Sequence, residues 1–252
     1  MAKMGLSYTL EARMDRARAR AVELDNWVGM RGTRVLEVGC GMGDLARVLA
    51  TEYDCTVVGV DVMKHAQWSA DPTPPQLTFL QGDISQGTLG YEDDSFDRII
   101  SFVAWEHILH PWSALSNCQK LLTPNGKKYL YAWLYGSTHA SHLYSITDDP
   151  WPHLIYSVRE ATERYKLDPL PWYYWCNRLS YQHYLHHFRK LGFFITKEVM
   201  LKSDARLPED PYARKTLELY PQFDLMTDGF KVVLEFDPER PKQPVADPVY
   251  RL

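Results

Sequence analysis

The sequence predicts an α/β fold: a Rossmann-like, seven-stranded, mostly parallel sheet with helices on both faces and an aromatic-rich lid insertion. Three observations carry this expectation. From Thr33 onward, short β-branched runs alternate with longer amphipathic ones, which is the rhythm of βαβ units. The short runs are continuously apolar, as parallel strands buried on both faces are. A glycine-rich turn, Gly39-Cys40-Gly41-Met42-Gly43, stands between the first run and the helical stretch after it, at the strand end where such sheets place their ligands.

In chain order, residues 1–30 form a charged N-terminal helical segment. Strands follow at 33–38, 56–60, 77–80, 97–102 and 127–134. Helices fill the intervals, most clearly at 111–122, where Pro111 suits a first helical turn and Thr123-Pro124-Asn125-Gly126 stops the helix and turns into the next strand. The rhythm lapses over 137–179, a lid insertion crowded with His, Tyr, Trp and Pro, and resumes with a helix at 180–191. Two last strands, 193–201 and 229–236, complete the sheet with a hairpin edge. The Pro-rich tail 237–252 reads as extended.

The 252 residues form one domain with decorations. A net charge of −4 gives no electrostatic reason for a nucleic-acid partner. No 18 apolar residues run together and no signal peptide stands at the start, so no membrane is expected. Cys40, Cys55, Cys118 and Cys176 form no CxxC pair, in keeping with a reducing cytoplasm. The arginines at 13, 16, 18 and 20 are interleaved with acids and read as a solvated helix face. The expected partner is a small-molecule acceptor, and the reading leaves room for a homodimer.

The glycine turn gains meaning from its place. Side chains at Gly39 and Gly41 would hold a ligand off the backbone, and the helix start beyond offers unpaired N–H groups. Asp61 ends the second strand, where it can accept hydrogen bonds from two ribose hydroxyls. A nicotinamide dinucleotide oxidoreductase is the alternative, since it shares the acidic residue. Against it, the spacing is G-x-G-x-G rather than G-x-G-x-x-G, Asp44 occupies the third glycine position, and Glu37 adds charge where a pyrophosphate would lie.

These pieces resemble the class I S-adenosylmethionine (SAM) dependent methyltransferases, especially the small-molecule group called type 11, over roughly residues 33–135. The resemblance implies that Glu37, Gly39, Cys40, Gly41 and Gly43 contact the methionine part of SAM. It also implies that Asp61 and the adjoining Val62 hold the ribose, that Asp83 and Ile84 of Gly82-Asp83-Ile84 meet adenine, and that Phe102 at the end of the fourth strand adjoins the methyl group. Glu106-His107-Ile108 resembles the Glu-His segment at the mouth of the site, and Leu121 through Gly126 resembles the turn before the fifth strand. Ubiquinone-type O-methyltransferases carry Glu-x-x-Glu-His here, with the acids and the His implied in metal binding. This sequence has Val103 at the first Glu and His110 where an Asp often precedes the proline, so no metal is expected. His183, His186 and His187 fall within one helical arc expected to face solvent, and no metal is expected there either.

Methyl transfer needs alignment above all. A base is needed mainly for a hydroxyl acceptor, and His107, His139 and His142 are the candidates. Tyr144, Trp151, Tyr156, Trp172, Tyr173, Tyr174 and Trp175 can stack on sugar faces, with His139, His142 and His153 bonding to hydroxyls; the same aromatics would equally form the core of a small subdomain. The expected reaction is O-methylation of a sugar, glycoside or other natural product. N-methylation of an amine is an alternative, and so is a SAM-binding protein with another reaction.

Overall fold

The computed structural model of the chain describes residues 9–70, 72–167 and 176–236. Trp172, Tyr173, Tyr174, Trp175 and the tail expected at 237–252 lie outside the described residues. In chain order the elements are α1 (Leu10–Val28), β1 (Arg34–Val38), α2 (Asp44–Glu52), β2 (Thr56–Asp61), α3 (Gln67–Ala70), β3 (Leu77–Gln81), β4 (Phe96–Phe102), α4 (Pro111–Leu121), β5 (Leu122–Trp133), α5 (Pro152–Ile155), α6 (Val158–Tyr165), α7 (Tyr181–Lys190), β6 (Phe193–Lys202), α8 (Pro211–Leu217), α9 (Gln222–Leu225) and β7 (Thr227–Phe236).

The seven strands form one sheet in the order β3-β2-β1-β4-β5-β7-β6. β1 pairs in parallel with β2 and β4, β2 with β3, and β4 with β5, while β7 runs antiparallel to both β5 and β6. The expected parallel sheet with a hairpin edge is therefore the observed one. β5 begins earlier than expected, because Leu122 pairs with Phe96 across a register shift and draws Thr123-Pro124-Asn125-Gly126 into the strand. The chain order reverses between β1 and β4, so the C-terminal ends of these strands flank the crevice where open α/β sheets hold ligands.

Each face of the sheet is covered. On one side α1 and α2 pack on Val35, Val57 and Ile100. Ala17, Ala21, Leu24 and Val28 of α1 recur at helical spacing and are all buried. On the other side α4 and α7 pack on Leu36, Ile99 and Leu130. α7 buries Tyr181, Tyr184 and Phe188 as its apolar arc requires, and it also buries His187, whose ring stacks on Trp112 while Nδ1 bonds to the His183 carbonyl at 2.8 Å. The expectation that all three α7 histidines face solvent thus holds for His183 and His186 and fails for His187. The Trp112 ring supplies an apolar cover, and this burial pushes the His187 imidazole down to about 4.

Candidate active site

The glycine turn is built by contacts on three sides. Gly39 has φ +74°, and a Cβ there would lie 2.3 Å from the Ala104 Cβ; Gly43 has φ +83°, and its Cβ would enter the Phe79 ring at 2.3 Å. These two glycines make room for protein packing rather than for a ligand. Gly41, at φ +51°, has nothing within 4 Å of the position its Cβ would take, so it alone offers the open backbone expected of a cofactor cradle. Trp68 supports the turn from below: its Nε1 donates to the Gly41 carbonyl at 2.8 Å, and its ring stacks on Phe79 at 5.2 Å.

Asp61 ties the turn to the end of β2. One carboxylate oxygen accepts from the Gly41 N–H at 2.9 Å and the other from the Met63 N–H at 3.0 Å. Each oxygen keeps a further lone pair for a ligand hydroxyl. Val62, between them, is 62% exposed. Cys40 is buried, and burial pushes its thiol far above the ordinary range, so it is an inert packing group. Asp83 caps the turn Ile84–Gln86 by accepting from the Ser85 N–H at 2.8 Å, and Ile84 is buried in the core. Phe102 is buried at the end of β4 beneath Arg20, whose guanidinium lies 4.9 Å from the ring centroid.

Glu37 is strongly perturbed by its burial beside the turn. It is buried, Oε2 has no hydrogen-bond partner, and burial pushes its carboxyl up to about 8, with Asp44 and Asp61 adding to the rise and Arg20 and the Ala46 N–H working against it. That N–H belongs to the first turn of α2, so one donor expected to await a ligand is already used by Glu37. An unsatisfied, buried carboxylate oxygen at the strand end just before the glycine turn fits a cationic group such as an ammonium. Asp44 is held by Arg13 through two bonds of 2.9 and 2.7 Å, and Arg20 faces Phe102, so the helix face expected to be wholly solvated is partly turned inward.

A second group of residues gathers at the ends of β4, β5 and β7. Val103 follows β4 with φ +51°, a strained conformation for a β-branched residue, and the chain then forms the turn Trp105–His107. Asn177 pins that turn: its side chain donates to the Trp105 carbonyl at 2.8 Å, and its N–H donates to the Glu106 carbonyl at 2.7 Å. The His107 and His142 Nε2 atoms are 3.0 Å apart, and His142 Nε2 lies 3.8 Å from a Glu106 oxygen. His139 stacks on Trp133 at 4.8 Å and sets its Nδ1 3.4 Å from Asp228. Burial opposes the charge of Asp228, but hydrogen bonds from His139, Thr138 and Ser137 outweigh it and hold the carboxyl below its usual range. Tyr144 is 41% exposed and touches both His139 and His142.

The remaining lid residues divide differently. Trp151 is fully buried, donates to the Gly136 carbonyl at 2.7 Å and packs with Leu154, Ile155, Leu217 and Leu225; Tyr156 leans on the same cluster. His153 bonds to the Tyr135 carbonyl at 2.7 Å, and burial pushes it down to about 4. Trp151 and Tyr156 belong to a small third core, which His153 adjoins through Tyr135, so the subdomain alternative describes them and the substrate-facing expectation does not. Asp228 and Trp68 were not singled out from the sequence, and Arg20 was read only as part of a solvated helix face. Asp228 and Asn177 act across 91 and 72 residues of chain, which no local pattern marks.

The sheet order, the glycine turn and the acid at the end of β2 define a Rossmann-like fold of the kind seen in class I methyltransferases. Residues 36–130 match the family model described as Methyltransferase domain. Among relatives, a sterol 24-C-methyltransferase of Candida albicans is 27% identical over 202 residues, covering 66% of this chain and 53% of the relative. A ubiquinone biosynthesis O-methyltransferase of Vibrio cholerae is 32% identical over 119 residues, covering 41% and 48%. The chain spans about half the length of these curated relatives. The structure of 1,6-didemethyltoxoflavin-N1-methyltransferase of Burkholderia thailandensis, with 1,6-didemethyltoxoflavin and S-adenosylhomocysteine bound, superposes with a TM-score of 0.53 at 16% identity, covering 91% of this chain and 81% of that one. The likeness at this identity is one of fold. With Asp44 and Glu37 at the turn and the family match, the nicotinamide alternative has no support. No helix among the described residues is long and apolar enough to cross a membrane.

Proposed function

We propose that the chain is a SAM-dependent methyltransferase acting on a small-molecule acceptor, and that it methylates a hydroxyl of a sugar, glycoside or other natural product. When bound, the cofactor supplies a methyl group on a sulfonium, already activated toward a nucleophile. Glu37 would take the ammonium end with its unpartnered oxygen, Gly41 would leave the backbone open along the methionine part, and Asp61 would accept from the ribose hydroxyls. Asp83, Ile84, Val62 and Phe102 would line the adenine and methyl ends.

The observation that carries the hydroxyl reading is His139 beside Asp228 at the edge formed by β5 and β7. A neutral hydroxyl is a weak nucleophile and gains from a base within reach. Asp228, poised as a carboxylate, fixes the ring through Nδ1 and would stabilise the imidazolium once Nε2 has taken a proton from the acceptor. Trp133 holds the ring from its face, and Tyr144 offers an exposed aromatic surface beside it. Residues 137–179 would act as the lid that excludes water and selects the acceptor.

The test is a screen of hydroxylated and amine-bearing small molecules for the mass gain of one methyl group, repeated with Asp228→Asn. The expected result is an O-methylated product and a fall in kcat of about 100-fold in the variant, with SAM affinity kept. Full activity of Asp228→Asn, or a product methylated on nitrogen, would overturn the reading.

A further inference from the structure

Glu106 is 1% exposed, and neither carboxylate oxygen has a hydrogen-bond partner among the described residues. Leaving both oxygens of a buried carboxylate unsatisfied is costly, and such groups are normally paired or coordinate metals. What stands in front of this one is a pair of imidazoles. His107 comes from the same turn and His142 from the insertion, and one ligand atom from each of the three side chains lies within 4.8 Å of the others.

Two explanations of the pair can be compared. As a hydrogen bond, one Nε2–H would donate to the other nitrogen across the observed 3.0 Å, and the Glu106 oxygens would gain nothing. As ligands, both Nε2 lone pairs would point at one ion; two nitrogens about 2.1 Å from a metal are themselves about 3.0 Å apart at right angles and about 3.4 Å apart in a tetrahedron, so the observed 3.0 Å needs at most a few tenths of an ångström of adjustment. The ion would also satisfy the carboxylate, after a small rotation of the Glu106 side chain. Of these two, the second engages all three residues.

We propose that Glu106, His107 and His142 form a binding site for a divalent first-row transition-metal ion. Two imidazoles and one carboxylate suit such an ion, whereas Mg²⁺ prefers oxygen ligands and keeps its waters. Three protein ligands leave coordination positions open. The net charge of Glu106 with two neutral histidines is −1, so the loaded site carries +1 and attracts an acceptor oxygen. The ion would bind that oxygen as a Lewis acid and lower its pKa, with the proton passing to the base. This use in catalysis rests on the methyl-transfer reading above, whereas the binding itself does not. The insertion would then do more than cover the site: its His142 closes the coordination set, coupling metal binding to the placement of residues 137–146. The site also differs from the expectation drawn from Val103, because the ligand missing on the β4 side is supplied from the far side of the crevice.

The experiment uses the full chain, free of any tag and dialysed against chelator, titrated calorimetrically with Zn²⁺, Mn²⁺ and Mg²⁺ in the absence of SAM and acceptor. The expected result is one equivalent of Zn²⁺ bound at least tenfold more tightly than Mg²⁺. The affinity should fall tenfold or more in His142→Ala and in Glu106→Gln and stay unchanged in His183→Ala/His186→Ala, which removes exposed histidines elsewhere. SAM affinity, measured separately on each variant, should stay at the wild-type value, so that loss of metal is not read as loss of fold or of the cofactor site. If Glu106→Gln fails to fold, His142→Ala decides. Absence of Zn²⁺ binding in the wild type, equal affinity for Mg²⁺, or an affinity indifferent to His142 would overturn the proposal. SAM binding and methyl transfer without any metal effect would overturn only its catalytic use.

Discussion

Replacing Glu37 by Gln gives the sharpest view of the cofactor site's electrostatics. The carboxyl sits near 4.5 in the unfolded chain and at about 8 in the fold. Between those values the folded state holds a proton that the unfolded state has released, so stability is highest below 4.5 and falls as pH rises through 8. His153 and His187 move oppositely: both are pushed down from 6.5 to about 4, so their contribution is lost as pH falls through 6.5 and levels off about one pH unit above it. Both histidines titrate alike in the wild type and in Glu37→Gln, so the difference between the two profiles from 6.5 to 8 isolates Glu37. A difference of one proton costs about 1.4 kcal/mol per pH unit, giving a loss of about 2 kcal/mol across that interval. Urea denaturation of the cofactor-free protein at pH 6.5, 7, 7.5 and 8 should show this decline as the difference between the wild type and Glu37→Gln. Because an ammonium beside Glu37 favours the carboxylate, SAM binding at pH 7 should release about one proton, read from calorimetry in buffers of different ionisation enthalpy. An equal decline in both proteins, or no proton release, would refute the assignment.

Two further predictions concern the scaffold of the turn. Gly39→Ala forces a side chain into a positive φ and against Ala104, and should cost about 2–4 kcal/mol in chemical denaturation; a loss below 1 kcal/mol would mean the turn is looser than its contacts imply. Trp68→Phe keeps the ring on Phe79 but removes the bond to the Gly41 carbonyl, and should weaken SAM binding by about 1 kcal/mol with little change in the maximal rate at saturating cofactor, checked by titration and by kinetics.

The parts of the fold that local pattern encodes were legible in the sequence. β1 and β2 carry apolar runs on successive residues, Val35-Leu36 and Val57-Val58-Gly59-Val60, because both faces of the sheet are covered, and that continuity marks them as parallel strands. The glycine turn was legible because positive φ leaves a residue signature, although the reason for it differs from glycine to glycine: Ala104 at Gly39, Phe79 at Gly43 and open space at Gly41. The insertion was legible as a composition and not as a layout. Trp151 and His139 look alike in sequence, one aromatic or imidazole among many, and only the tertiary contacts send Trp151 into a core and His139 against Asp228. The meeting of His107 with His142 likewise depends on how the insertion folds back over the end of β4.

Calorimetric titration with SAM of the wild type and of Asp61→Ala tests the central claim most directly. Asp61 both fastens the Gly41 turn and presents its remaining lone pairs to the ribose. The wild type should bind SAM at one site, and the variant, shown to be folded by its thermal transition, should bind it more weakly by about 1–3 kcal/mol, the scale of lost hydrogen bonds to a charged group. A wild type that does not bind SAM, or a folded Asp61→Ala with unchanged affinity, would contradict the placement of the cofactor on residues 37–43 and Asp61.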